Sequence, residues 1–88
     1  MKNYEKLAKH GGFYPTAKDR VFSLEEGAGK IKSFLKECEP EMITTFEKLL
    51  AGAIKALDDG YTEVHIGGLE YYFECSIIRI GGITKMII

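Results

Sequence analysis

Eighty-eight residues, 45% hydrophobic and 28% charged, suffice for one core and exclude both a second domain and the low-hydrophobicity regime of disorder. A formal net charge of -1 excludes a strong overall field for nucleic acid or anionic membranes, yet the charge is uneven. Residues 1–22 hold Lys2, Lys6, Lys9, Lys18 and Arg20 against Glu5 and Asp19, and the remainder is acidic.

The first stretch, capped by Asn3, predicts a short helix to about His10, where Gly11 and Gly12 stop it. It has no apolar signal core, and no run in the chain approaches the ~20 apolar residues that cross a bilayer. Cys38 and Cys75 are too few and too far apart for a disulfide framework. A reduced, cytoplasmic setting without membrane contact is expected. Beyond Gly12 the chain reads as irregular, because Tyr14 precedes Pro15 and is pushed out of the helical region. Phe13, Tyr14, Val21 and Phe22 in this arm need cover.

Ser23-Leu24-Glu25-Glu26 is a capping box and starts a second helix, with Leu24, Ala28, Ile31, Leu35 and Cys38 at helical spacing. Gly27-Ala28-Gly29-Lys30 lacks the phosphate-loop spacing and has no strand before it, and Glu25 and Glu26 would repel an anion. These glycines are read as points of close helix packing. Pro40 breaks the helix and suits the first turn of a third. That helix carries Ile43, Phe46, Leu50, Ala53, Ile54 and Leu57 on one stripe and ends at Gly60. Asp58 and Asp59 oppose the negative end of its dipole, which implies turn chemistry or a nearby cation.

From Tyr61 the period becomes two. Gly67-Gly68 and Gly81-Gly82, taken as two-residue turns, place Ile66 opposite Leu69, Val64 opposite Tyr71, Ile80 opposite Ile83 and Ile77 opposite Met86. The predicted fold is a single α+β domain over residues 1–88. A basic, partly irregular arm (1–22) and a helical pair (23–59) precede a three-stranded antiparallel β-meander (61–88), with the short first helix and both longer ones packed on one sheet face. Val64, Ile66, Leu69, Tyr71, Phe73, Cys75, Ile77, Met86 and Ile88 form the core face.

The opposite face divides in two. Tyr61, Glu63, His65, Glu70, Tyr72 and Glu74 make an acidic-aromatic patch suited to a partner protein with a basic surface, or to an ordinary solvated face with a His65–Glu70 pair. Ile78, Ile80, Ile83 and Ile87 make an apolar patch that requires cover. Either the aromatic residues of the N-terminal arm fold over it or another subunit does, and the final strand, guarded only by Lys85, reads as an open edge for pairing. A homodimer is therefore expected.

The cysteines and histidines show no familiar metal-ligand spacing, and both cysteines fall on core faces. No cofactor, metal or catalytic site is expected. The order of elements is similar in outline to a winged helix-turn-helix, but the third helix is acidic and would be repelled by phosphates. The expected function is a non-catalytic protein-interaction module. It would act as a regulator or inhibitor by stoichiometric binding, as phage anti-defence inhibitors act. A nucleic-acid-binding regulator that uses the basic arm is the alternative.

Overall fold

A computed structural model describes residues 20–88. The expected helix from Asn3 to His10, with Phe13 and Tyr14, lies outside the described residues. The order is β1 (Val21–Ser23), α1 (Leu24–Cys38), α2 (Met42–Asp58), β2 (Glu63–Gly68), a 3-10 turn (Leu69–Tyr71), β3 (Phe73–Ile80) and β4 (Ile83–Ile87). The α+β class holds, with α1 and α2 on one face of an antiparallel sheet. That sheet has four strands, not three, in the order β1-β4-β3-β2.

The additional strand comes from residues read as the end of an irregular arm. Val21 pairs with Ile87, Phe22 with Met86 and Ser23 with Lys85. Three residues are too few to show a period of two, so the strand exists through its partner rather than through its own pattern. Two further bonds fix its start: the Ile88 amide donates to the Arg20 carbonyl at 3.0 Å, and Arg20 Nε donates to the Ile88 carbonyl at 2.6 Å. In consequence β4 is an interior strand. Of the open edge expected at Ile83–Ile88, β1 occupies Lys85–Ile87, and the longer free edge of the sheet is β2.

Ser23 ends β1 and caps α1, its hydroxyl accepting the Glu26 amide at 3.1 Å. No loop intervenes. Ala28, Ile31 and Leu35 are buried, and Gly27 admits Met86 of β4: a Cβ there would come within 2.7 Å of the Met86 sulfur. Close packing therefore belongs to Gly27, whereas Gly29 faces open space. Leu35 closes the buried stripe, and Cys38 in the terminal turn is exposed, contrary to its expected place on the core face.

In α2, Phe46, Ala53 and Leu57 are buried, and Phe46 meets Phe73 edge-on with ring centroids 5.1 Å apart. Its C-terminus has the cation that Asp58 and Asp59 implied. Arg79 of β3 pairs with Asp58 through Nη1 and donates from Nε to Thr84 at 3.0 Å, while its amide donates to the Thr62 carbonyl. One residue thus ties the end of α2 to β3, to β4 and to the approach to β2.

The two glycine pairs behave differently. Gly81 and Gly82, both left-handed, form the predicted two-residue turn, with Ile80 opposite Ile83 and Ile77 opposite Met86. Gly67 and Gly68 instead lie inside β2, opposite Glu74 and Phe73, and the turn is made by residues 69–72. Ile66 pairs with Cys75, not Leu69, and Val64 with Ile77, not Tyr71. The expected core residue Leu69 is 98% exposed at the turn, while Tyr71 packs against the core, its ring 5.8 Å from that of Phe73. The register moved by an even number of residues, so the core assignment of Val64, Ile66, Phe73, Cys75 and Ile77 survives.

Candidate functional site: an aromatic cleft beside the first hairpin turn

The pairing of β1 with β4 brings Phe22 and Ile88 to the end of the sheet where β3 begins with Phe73. Lys30, Ile31 and Phe34 of α1 face them, and Tyr72 and Glu74 close the side. Together they line a cleft of about 280 Å³. Lys30 and Phe34, four residues apart, share one stripe of α1, so an ammonium and a phenyl ring stand one helical turn from each other at its mouth.

Most of the lining is aromatic or aliphatic, and the two charged residues differ in circumstance. Glu74 is turned towards the outer sheet face, its Oε2 lying 2.9 Å from His65 Nε2. His65 Nδ1 lies 3.2 Å from Ser76 Oγ, so the ring bridges Glu74 and Ser76 on the outer face. Lys30 Nζ sits 5.0 Å from the centroid of the Phe22 ring and has no carboxylate partner among the described residues, where the ion pairs are Lys32–Glu47, His65–Glu74 and Arg79–Asp58.

Tyr72 is the conformational exception. Its φ of 64° and ψ of 9° place a bulky residue in the left-handed region, where glycine or asparagine is the usual occupant. Its ring is not needed by the core, since the residue is 54% exposed, and Phe34 across the cleft is 53% exposed. Cys75, the next inward-facing residue after Phe73, is buried, and burial, with a smaller contribution from Glu74, pushes its thiol up to about 11. It is a neutral packing group at physiological pH, not a nucleophile.

The expected acidic-aromatic patch is not one surface. Tyr72 and Glu74 belong to the cleft, and His65 joins it through Glu74. Glu63 lies further along β2 opposite Ile78, Glu70 is in the turn, and Tyr61 is exposed between α2 and β2. The observed partner of His65 is Glu74, not Glu70, because the register moved. Among the residues expected for self-association, Ile78 is 2% exposed, Ile80 and Ile87 are half-buried and Ile83 is 61% exposed. Phe22, Lys30, Phe34 and Leu69 were not singled out as site residues. Phe34 had a weak signal, since it lies three residues after Ile31 and seven after Gly27, at the margin of the buried stripe, where a large ring is only partly covered.

Among the described residues no helix is long and apolar enough to cross a membrane, and no group of three His, Cys, Asp or Glu side chains could hold a metal ion. Comparison with protein-family models, with curated proteins and with solved structures finds no match.

Proposed function

We propose that this protein is a non-catalytic interaction module, a regulator or inhibitor that binds a partner protein stoichiometrically through the rim of the aromatic cleft. The observation that carries the reading is Tyr72. A left-handed backbone at a non-glycine residue costs of order 1–3 kcal/mol, and such strain persists where the side chain is needed. The Tyr72 backbone closes the 3-10 turn, its amide donating to the Leu69 carbonyl, but its ring does not fill the core; it stands exposed across the cleft from Phe34, three residues from the fully exposed Leu69. Large apolar groups gathered around a concavity are the usual anchors of protein interfaces, and Glu70 in the turn, with Glu74 in the first residues of β3, supplies an acidic margin for a basic partner.

The test is quantitative capture from the source organism with the native chain and with a Phe34→Ser/Leu69→Ser variant, both checked for native circular dichroism. A partner recovered in equimolar amount by the native chain and lost with the variant supports the reading. Equal recovery by both, or none by either, overturns it.

A second reading, self-association, is favoured by Ile83, which is exposed opposite Ile80 on the sheet face away from the helices. It calls for a dimer built face to face rather than through the final strand, since β1 already pairs with β4.

A further inference from the structure

We infer that the free edge of β2 is a docking site for an extended, basic segment of a partner protein, which joins the sheet as a further antiparallel strand. The surface lies beyond β2 and apart from the cleft rim, so this inference and the rim reading stand or fall separately.

First, the edge offers backbone groups in strand order. The Arg79 amide donates to the Thr62 carbonyl at 3.0 Å, and the register continues with Glu63 opposite Ile78. In an antiparallel ladder Val64 and Ile66 then bond inward to β3, while Glu63 and His65 turn their amides and carbonyls outward. The same alternation, carried across β3 and β4, arrives at the bond from the Ile88 amide to Arg20. β2 is the last strand of the sheet, so no strand among the described residues takes these outward groups, and a row of that kind accepts another strand.

Second, the charge around this edge has one sign. Residues 56–78 contain Asp58, Asp59, Glu63, Glu70 and Glu74 and no lysine or arginine. Asp58 is taken by Arg79, whereas Glu63 and Glu74 stand on the outer face near the edge. In an added antiparallel strand, the residues bonded to Glu63 and His65 project their side chains from that same face. Lysine or arginine there meets Glu63 directly and Glu74 across His65. A second copy of β2 would offer glutamate and histidine instead.

Third, the inner side has room for the alternate residues. Helix α2 lies chiefly against β2, and its Glu47 pairs with Lys32, which fixes the flank that faces α1. The opposite flank, towards the free edge, carries Thr45, Leu49, Gly52 and Ala56, none of them charged. A Cβ on Gly52 would meet nothing within 4 Å, and Leu49 is only half-buried. Valine or threonine suits these inward positions.

The full chain, labelled with nitrogen-15, is titrated at low salt with three peptides. They are acetyl-Lys-Val-Arg-Val-Lys-Thr-amide, its counterpart with glutamate in place of each basic residue, and the basic peptide N-methylated at arginine, which keeps the charge but loses a bond to the edge. The expected result is saturable, millimolar-range binding of the basic peptide, about fivefold tighter than either of the others. It should shift the Val64, His65 and Ile66 amides and slow hydrogen exchange at Glu63 and His65. Glu63→Lys should weaken the basic peptide and keep the native spectrum. An N-methylated peptide as tight as its parent would reduce the contact to charge alone and overturn the inference. Shifts confined to another surface, an unchanged preference in Glu63→Lys, or no saturable binding of any peptide would do the same. Glu63 and His65 amides already protected in the free chain would also overturn it, by showing the edge occupied. Loss of that protection on dilution would identify a second copy as the occupant, and its persistence would identify residues 1–19.

Discussion

Gly67 and Tyr72 flank the first hairpin turn with opposite backbone demands. Gly67 has φ of 98°, and a Cβ at that position would run into the Phe73 carbonyl oxygen, so both conformation and space exclude a side chain. Gly67→Ala should lower stability by about 2–3 kcal/mol in urea denaturation, the sum expected for a strained backbone and a shifted strand. Tyr72→Gly should do the reverse, raising stability by about 1 kcal/mol because the left-handed position no longer carries a Cβ and the exposed ring contributes little to the core. The same variant should lose partner binding, which separates a residue kept for contact from one kept for folding. Cys75 makes a third prediction. Its folded-state value of about 11 lies above the ordinary 9.0, so the unfolded chain gives up the proton first. The stability linked to this group is complete below pH 9 and is lost as the pH rises towards 11. At pH 8 a thiol reagent should modify the exposed Cys38 promptly and Cys75 only after denaturant is added; two equally fast thiols would contradict the burial.

At the scale of elements, the junction of β1 and α1 depends on Ser23, which is at once the last strand residue and the helix cap. Ser23→Ala should cost about 1 kcal/mol, the usual loss for an N-cap hydroxyl. Because no loop separates the two elements, it should also speed hydrogen exchange at Ile88, whose amide bonds to Arg20 at the other end of the same strand. A stability loss with unchanged exchange at Ile88 would show that strand and cap are independent. The Ser23 cap of the expected capping box was legible because side-chain chemistry and spacing identify it locally. The pair Gly81-Gly82 was legible for the same reason, whereas Gly67-Gly68 was not, since glycine permits a left-handed turn and a close strand approach alike. What decided between them was the Phe73 carbonyl, a contact between strands that no local pattern reveals. The inward-facing residues of β2 and β3 were nonetheless assigned correctly, because alternation fixes the face while the turn fixes the register. The cleft was largely illegible. It assembles Phe22, Phe34 and Tyr72 from a strand, a helix and a turn, and no local pattern in the sequence joins the three.

At the scale of the whole molecule, the sheet has helices on one side and the isoleucine surface on the other. The fourth strand covers the terminal edge at Lys85–Ile87 and leaves Ile83, with half-buried Ile80 and Ile87, as apolar side chains of the outer face that meet solvent. If copies associate, they do so through that face. Sedimentation at micromolar concentration should then show a dimer, and Ile83→Lys should convert it to a monomer without loss of helical signal, since the residue is exposed in the single chain. A native chain that sediments as a monomer would remove self-association and leave the cleft rim as the contact surface.

The bonds between Arg20 and Ile88 have a mechanical consequence. The start of β1 and the end of β4 lie side by side, so force applied through these two residues would act along the interstrand hydrogen bonds and load them one pair at a time, in the manner of a zip. Held by those two points, the domain should yield at low force. Its first loss would be β1, taking Phe22 out of the cleft and uncovering the edge of β4.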